Sequence, residues 1–145
     1  MARMVDISTK EIVKREAVAE GFIRLKPETL QKIKRNEFEK GDALEISRLA
    51  GIIAAKKTSD LLPLCHNIPI EEVSLEAKLE DKGVRISAKI TSHAKTGVEM
   101  EALTSVTVAL LTIWDVVKKV EKDENGQYPY TRLSDIKVVR KTKEA

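Results

Sequence analysis

Residues 96–121, TGVEMEALTSVTVALLTIWDVVKKVE, form the stretch on which the fold depends. Its middle is apolar on almost every side, and its carboxylates lie near the two ends. A helix that is apolar all round must be covered all round, so we predict a buried central helix. In so short a chain, a sheet can cover one side only. We therefore expect the middle of the helix, around Leu110, to contact a second copy of the protein.

The polar residues of this helix are few, and two of them constrain any active site. Glu101 and Asp115 lie within about 40° of one line along the helix, so they share a face. Fourteen residues separate them, which is about 21 Å at a rise of 1.5 Å per residue. One chain cannot bring both carboxylates to one atom. Either one end of the helix does the chemistry, or an antiparallel partner helix brings Glu101 of one subunit toward Asp115 and Lys118 of another.

Length and composition limit what the protein can be. A chain of 145 residues is long enough for one domain and too short for two. The net charge of +3, with 34% charged residues, describes a mixed surface rather than one built for nucleic acid. The single cysteine excludes an internal disulfide. We find no membrane-spanning run and no signal peptide, and expect a cytoplasmic protein with no nucleic-acid or membrane partner.

The first part of the chain predicts an arm, a strand and a short helix. Residues 1–16 show no periodicity and are expected to form an irregular arm. Residues 17–26 alternate between apolar and polar as in a strand, and Gly21 suggests a bulge. The proline that follows then opens a short amphipathic helix over residues 28–35.

A second helix is predicted to begin after Asp42. This residue is a good N-cap, and Glu45 stands three residues later, as in a capping box. The helix should run to about Lys57. Residues 61–69 then form a loop bracketed by prolines, between this helix and the next strand.

The rest of the chain predicts three further strands around the central helix. Residues 70–80 and 84–92 alternate on either side of a tight turn, which predicts a β-hairpin. Residues 133–140 alternate again as a last strand. The order is β-α-β-β-α-β. We therefore predict an α+β fold in which residues 1–145 form a single ferredoxin-like sandwich domain, an antiparallel sheet with helices on one face and an irregular N-terminal arm.

Two small groups of side chains could carry chemistry. Cys65 and His66 are either a ligand or acid/base pair, or a loop histidine beside a small buried thiol. With only His93 to add to them, a metal site is not expected. Asp115 and Lys118 are either an acid/base pair whose pKa values are tuned by apolar surroundings, or an ordinary ion pair near a helix C-terminus. The residues alone leave both questions open.

Six strings carry a family resemblance. In chain order they are MVDIS (4–8), KGD (40–42), AGIIAAK (50–56), LPLCH (62–66), TGVEMEALT (96–104) and LTIWD (111–115). Together they resemble the cyclic pyranopterin monophosphate synthase family, which is the molybdenum cofactor biosynthesis protein C family. The resemblance covers nearly the whole chain, and the PLCH and TGVEMEALT strings are highly specific.

The resemblance implies a ferredoxin-like subunit in a homohexamer, a trimer of dimers with active sites at subunit interfaces. It implies a lyase-type enzyme that converts 3′,8-cyclo-7,8-dihydroguanosine 5′-triphosphate to cyclic pyranopterin monophosphate and releases pyrophosphate. Apart from other copies of the chain, the implied partner is this small-molecule substrate. No resident cofactor or metal is implied, and the resemblance leaves open whether Mg²⁺ accompanies the triphosphate.

The resemblance also implies roles for particular residues. Asp115 would be the catalytic acid or base, and the catalytic group would further include Lys118, Lys40 and His66. The residues implied to contact substrate are Leu64, Cys65, His66, Glu99, Met100, Glu101, Arg15 and Lys141. The triphosphate calls for cationic donors, and we expect Lys40, Arg15 and Lys141 to hold it.

The chain departs from the family pattern at two places. A Gly-Gly-Lys-Ser-Gly tail commonly follows the last strand in the family, whereas residues 141–145 here read KTKEA. Trp114 stands where family members often have Tyr. The alternative to an enzyme is a ferredoxin-like module that binds a nucleotide and regulates without catalysis. Such a module would keep the basic residues but would have no use for Asp115 or for a histidine loop.

Overall fold

A computed structural model describes all 145 residues. The elements in order are β1 (Val13–Arg24), α1 (Pro27–Lys34), α2 (Ala43–Lys56), α3 (Thr58–Leu61), β2 (Ile70–Glu80), β3 (Gly83–Ala94), α4 (Glu99–Glu121) and β4 (Arg132–Glu144). The sheet has the order β2-β3-β1-β4, and all neighbouring strands are antiparallel. The predicted α+β, ferredoxin-like architecture is confirmed.

The two faces of the sheet differ because side chains alternate along each strand. The inward residues of the central strands β1 and β3 are small or aliphatic and are buried. On the outer face, Glu16 and Glu20 of β1 lie between cationic side chains of both neighbouring strands, at 3.3–3.8 Å. Their partners are Arg85, Lys89, Lys137 and Arg140. Because ion pairs cover this outer face of the sheet, the helices pack against the opposite, apolar face.

Helix α4 is covered by the sheet on one side and by α2 on the next. Small residues allow the two helices to approach closely, since Ser105 Oγ donates to the Gly51 carbonyl at 2.9 Å. A Cβ at Gly51 would lie 3.1 Å from the Ser105 carbonyl oxygen. Leu110 is 0% exposed. The expectation that a second copy covers the middle of the helix is wrong for this residue, because α2 and the sheet enclose it within one chain.

Length and composition do not separate α4 from a membrane helix. Contrary to our expectation, its 23 residues are long and apolar enough to cross a membrane. Half of its most apolar stretch is buried inside the protein. The core helix of a soluble protein passes the same test, so this one helix is weak support for a membrane span.

Strands β1 and β4 differ most from prediction. β1 begins at Val13, which shortens the arm to residues 1–12, and β4 runs on to Glu144. Both extensions come from pairing, because Lys14 of β1 lies opposite Glu144. The polar ends of these two strands have no alternation that could predict the extensions. The expected bulge is confirmed near Gly21, where the register of β1 and β4 shifts.

The N-cap of α2 is confirmed, but the capping box is not. The Asp42 carboxylate accepts from the backbone N–H groups of Leu44 and Glu45, each at 3.1 Å. The Glu45 carboxylate pairs with Arg48 at 2.7 Å and does not reach back to the cap. A bidentate guanidinium is a stronger partner than one backbone N–H, so the side chain turns along the helix.

A buried carboxylate ties the C-terminal end of α4 to its surroundings. Glu121 is fully buried, and its oxygens accept from the hydroxyls of Thr29 and Thr131 and from the backbone N–H of Lys26 at 3.1 Å. These donors come from α1, from the segment before it and from the segment before β4. The carboxylate therefore links three parts of the chain.

We predict that Glu121→Gln lowers the free energy of unfolding by about 1–3 kcal/mol. The amide nitrogen can only donate, so it would face a hydroxyl or N–H that now lacks its acceptor. Chemical denaturation of the purified variant measures the change. Glu124→Gln, in the exposed turn after α4, is the matched control and should change stability by less than about 0.5 kcal/mol.

Candidate active site

The predicted site residues fall into two groups at opposite ends of α4. Lys40, Asp115 and Lys118 form what we call the C-terminal cluster. The N-terminal cluster consists of the loop residues Leu64, Cys65 and His66 and the helix residues Glu99, Met100 and Glu101. Because α4 is continuous from Glu99 to Glu121, Glu101 and Asp115 are held about 21 Å apart along its axis.

The C-terminal cluster centres on the Asp115 carboxylate. Lys40 Nζ lies 2.7 Å from Asp115 Oδ2, and Lys118 Nζ lies 3.2 Å from Oδ1. Lys118 is one helical turn further along α4, whereas Lys40 comes from the loop that enters α2. All three side chains are about half exposed. An ordinary intrahelical pair needs only Lys118, so the convergence of a second lysine from a distant loop favours a functional site.

The two lysines set the protonation state of Asp115. Hydrogen bonds from Lys40 and then from Lys118 hold the pKa of the Asp115 carboxyl below its usual value of 3.8. Of the two alternatives, tuning by apolar surroundings does not apply, because the carboxylate is exposed and its near neighbours are cations. At neutral pH it is ionised, and it can accept a proton but holds none to give.

All members of the N-terminal cluster except Glu101 line an open cavity of about 660 Å³. Its floor and one wall come from the turn before α4 and from Glu99 and Met100, and another wall comes from the loop residues 62–66. The third wall is the N-terminal arm, with Val5, Asp6, Ile7 and Lys10. Of the predicted arm, residues 1–16, sequence reasoning named only Arg15 as a site residue and none of these four. The MVDIS string at residues 4–8 was the available signal. An irregular segment has no structural reason to resemble the family, so a resemblance there indicates a functional role.

Glu101 lies beneath this cavity rather than in its wall. The residue is 2% exposed, and the Cys65 Sγ is 3.9 Å from its Oε2. Its other oxygen, Oε1, is buried without a partner. Burial raises the pKa of the Glu101 carboxyl above its usual value of 4.5, and the same cause raises that of the Cys65 thiol. The loop of residues 62–66 covers the N-terminal end of α4 and thus separates Glu101 from solvent. Asp115 lies on nearly the same face of the helix but remains exposed.

Arg15 and Lys141 lie near the N-terminal cluster. Lys141 Nζ is 3.4 Å from Glu99 Oε2, and the Arg15 guanidinium donates to the carbonyls of Ala94 and Lys95 at 3.4 and 3.3 Å. Lys40 is at the other end of α4. Within a single chain, the three residues expected to hold the triphosphate therefore lie at both ends of α4, because β1 and β4 carry Arg15 and Lys141 to one end and Lys40 lies at the other.

Metal ligands do not gather at either cluster. No three His, Cys, Asp or Glu side chains lie together in a group that could hold a metal ion. His93, the second histidine, pairs with Glu71 at 2.6 Å on β2 and takes no part in the cavity.

We predict that Lys40→Ala raises the pKa of the Asp115 carboxyl. Lys40 is the largest cause of its lowered value, and an exposed pair is screened by salt, so the difference should shrink as salt is added. Titration of the labelled side-chain carboxyl by NMR measures this pKa. Lys119→Ala removes a lysine four residues from Asp115 that pairs with Glu39 instead, and should leave it unchanged.

We predict that Glu101→Gln stabilises the protein at high pH relative to low pH. Because the pKa of Glu101 is higher in the folded state than in the unfolded state, the folded protein keeps this proton to a higher pH. The free energy of unfolding of the native protein therefore falls as the pH rises from the usual pKa of a glutamate through the raised pKa. Glutamine has no proton to lose. The difference in Tm between variant and native protein should thus grow from pH 4 to pH 9, while Glu124→Gln should show a flat difference.

Known proteins resemble this chain over nearly its whole length. It is similar to a protein of Saccharolobus solfataricus named probable cyclic pyranopterin monophosphate synthase, with 60% identity covering 99% of this chain and 96% of the relative. Relatives of the same name from Sulfurisphaera tokodaii and Thermococcus kodakarensis are 59% and 53% identical, covering 98% and 97% of this chain and 94% and 90% of their own. Residues 4–144 match the description of the MoaC family. The chain therefore belongs to the MoaC family.

Proposed function

We propose that the chain is a cyclic pyranopterin monophosphate synthase of molybdenum cofactor biosynthesis. Its substrate is 3′,8-cyclo-7,8-dihydroguanosine 5′-triphosphate, and its products are cyclic pyranopterin monophosphate and pyrophosphate. The names of the relatives support the assignment. The observation that carries it is the Lys40–Asp115–Lys118 group, because two lysines from separate elements converge on one carboxylate at an exposed site.

The chemistry requires a proton acceptor and cationic donors. When a hydroxyl oxygen attacks the α-phosphorus, a new O–P bond forms, the bond to the pyrophosphate oxygen breaks, and the hydroxyl proton must leave. The ionised Asp115 can take a proton, and Lys118 or Lys40 can return one or hydrogen-bond the developing charge. His66 is the further acid or base. Arg15 and Lys141 hold the triphosphate.

We place one active site between two chains. Glu101 and Asp115 are about 21 Å apart along α4, so the reacting atoms of one substrate molecule cannot contact both clusters of the same chain. A second α4 running antiparallel would bring the N-terminal cluster of one chain to the C-terminal cluster of the other. Exposed apolar side chains on the helix layer support a protein partner there. They are Leu49, Ile53, Met100 and Leu111. The assembly we propose is a hexamer, a trimer of dimers.

The remaining assignments follow from this function. The substrate and the biosynthetic role are those of a soluble enzyme, and we place it in the cytoplasm, without a nucleic-acid or membrane partner. The protein brings no resident cofactor. Mg²⁺ would enter with the triphosphate, since hard cations prefer phosphate oxygens. The KTKEA end of the chain would supply Lys141 where family members carry a glycine-rich tail.

A regulatory nucleotide-binding module is the alternative function. It would use the cationic side chains but would need neither Asp115 nor His66. Incubation of the purified protein with the cyclic dihydro-GTP derivative separates the two, because only the enzyme forms pyrophosphate and a cyclic phosphate in equal amounts. Binding without either product, in the presence of Mg²⁺, would contradict the enzyme.

We predict that Asp115→Asn binds substrate nearly as well as the native protein and turns over at least about 10²-fold more slowly, as expected when a general base is lost. Asparagine keeps the shape of the side chain but cannot take the proton. Steady-state kinetics and a substrate Kd measure both effects. Full activity of the variant would remove Asp115 from the catalytic group.

We further predict that mixing inactive Asp115→Asn chains with inactive Glu101→Gln chains restores part of the activity. Some mixed sites would combine an intact C-terminal cluster from one chain with an intact N-terminal cluster from the other. The matched control mixes Asp115→Asn with Lys118→Met, which damage the same cluster and should restore nothing. Equal results from both mixtures after verified subunit exchange would contradict the shared site.

A further inference from the structure

The side chain of His66 has one partner in the protein, and it lies in the N-terminal arm. His66 Nε2 is 2.6 Å from the backbone carbonyl oxygen of Val5. A carbonyl oxygen can only accept, so Nε2 must carry the proton. In a neutral imidazole the other nitrogen, Nδ1, is then unprotonated. The arm therefore determines which nitrogen of His66 can accept a proton.

The arm is held in place by contacts of its own. The Asp6 carboxylate accepts from the backbone N–H of Ser8 at 2.8 Å, and the Lys10 N–H donates to the Ile7 carbonyl at 3.0 Å, so the segment forms local turns. Lys95 Nζ reaches across from the end of β3 and donates to the Ser8 carbonyl at 3.3 Å. The residues that follow the Val5 carbonyl are thus fixed next to the loop that carries His66.

We propose that residues 1–12 are a positioning segment, which holds His66 as the Nε2–H tautomer so that Nδ1 is free to accept a proton in the cavity. The segment itself supplies no group to the reaction through this contact. When a histidine ring has a single hydrogen-bond partner, that partner fixes the tautomer and the orientation of the ring. Without the arm, either nitrogen could carry the proton, and only part of the molecules would present a free Nδ1.

The catalytic part of this inference rests on the proposed function, whereas the tautomer does not. If the chain were not a synthase, the Val5 carbonyl would still fix the ring of His66. We therefore choose a measurement on the imidazole itself, in the absence of substrate. The chain has two histidines, so each can be assigned in a spectrum of the ring nitrogens. His93, which pairs with Glu71 away from the arm, serves as the internal reference.

The experiment compares the full chain with two shortened chains. Deletion of residues 1–8 removes the Val5 carbonyl, whereas deletion of Ala2 and Arg3 keeps it and is the matched control. In long-range ¹H–¹⁵N spectra at a pH where both rings are neutral, we expect a single Nε2–H form of His66 in the full chain and in the control. The chain lacking residues 1–8 should show the averaged signals of both tautomers, with His93 unchanged.

Two results would overturn the proposal. One is an Nδ1–H form of His66 in the full chain, and the other is an unchanged Nε2–H form after deletion of residues 1–8. Should that deletion prevent folding, Lys95→Ala loosens the arm at its anchor, and Lys95→Arg keeps a donor to Ser8. Only the alanine variant is then expected to shift the tautomer. In the synthase assay, kcat of the alanine variant should fall at least about 10-fold, less than for a lost base, and recover in Lys95→Arg.

Discussion

The length of one rigid helix is the constraint on which the site depends. Helix α4 runs without a break from Glu99 to Glu121, so it fixes two groups of chemically active side chains about 21 Å apart. The sheet and α2 enclose its middle, and close packing at Gly51 and Ser105 leaves no freedom to bend it. No rearrangement of one chain can therefore join the clusters. The stiffness of this helix is the physical basis for the shared site that we propose.

The two ends of α4 give similar carboxylates opposite properties. Asp115 is exposed and lies between two ammonium groups, so its pKa is lowered and it is ionised. Glu101 is covered by the loop that carries Cys65, so burial raises its pKa. Acid and base chemistry need groups whose pKa values are pushed apart, and here the difference comes from two lysines at Asp115 and from burial at Glu101. An antiparallel pair of helices would bring one of each kind to the same substrate.

Neighbouring segments decide how the loop histidine is presented. The arm has almost no buried side chains, yet it lines the cavity at the N-terminal end of α4 and supplies the acceptor for His66. Its position comes from local turns and from Lys95, rather than from an apolar core. A segment held by a few polar contacts costs little stability to open.

The sequence by itself determined the fold and the family. Alternation in the strands, the Asp42 cap and the apolar run of α4 are local patterns, and they depend on near neighbours along the chain. The distance between Glu101 and Asp115 also followed from the sequence, because helical rise is fixed. Only the tertiary structure decided which side chains meet. In the folded chain Lys40 pairs with Asp115, Leu110 is buried away from any subunit contact, and the arm contacts His66. Each of these contacts joins segments that are far apart in the chain, and pairing between distant segments leaves no periodic signal in either one.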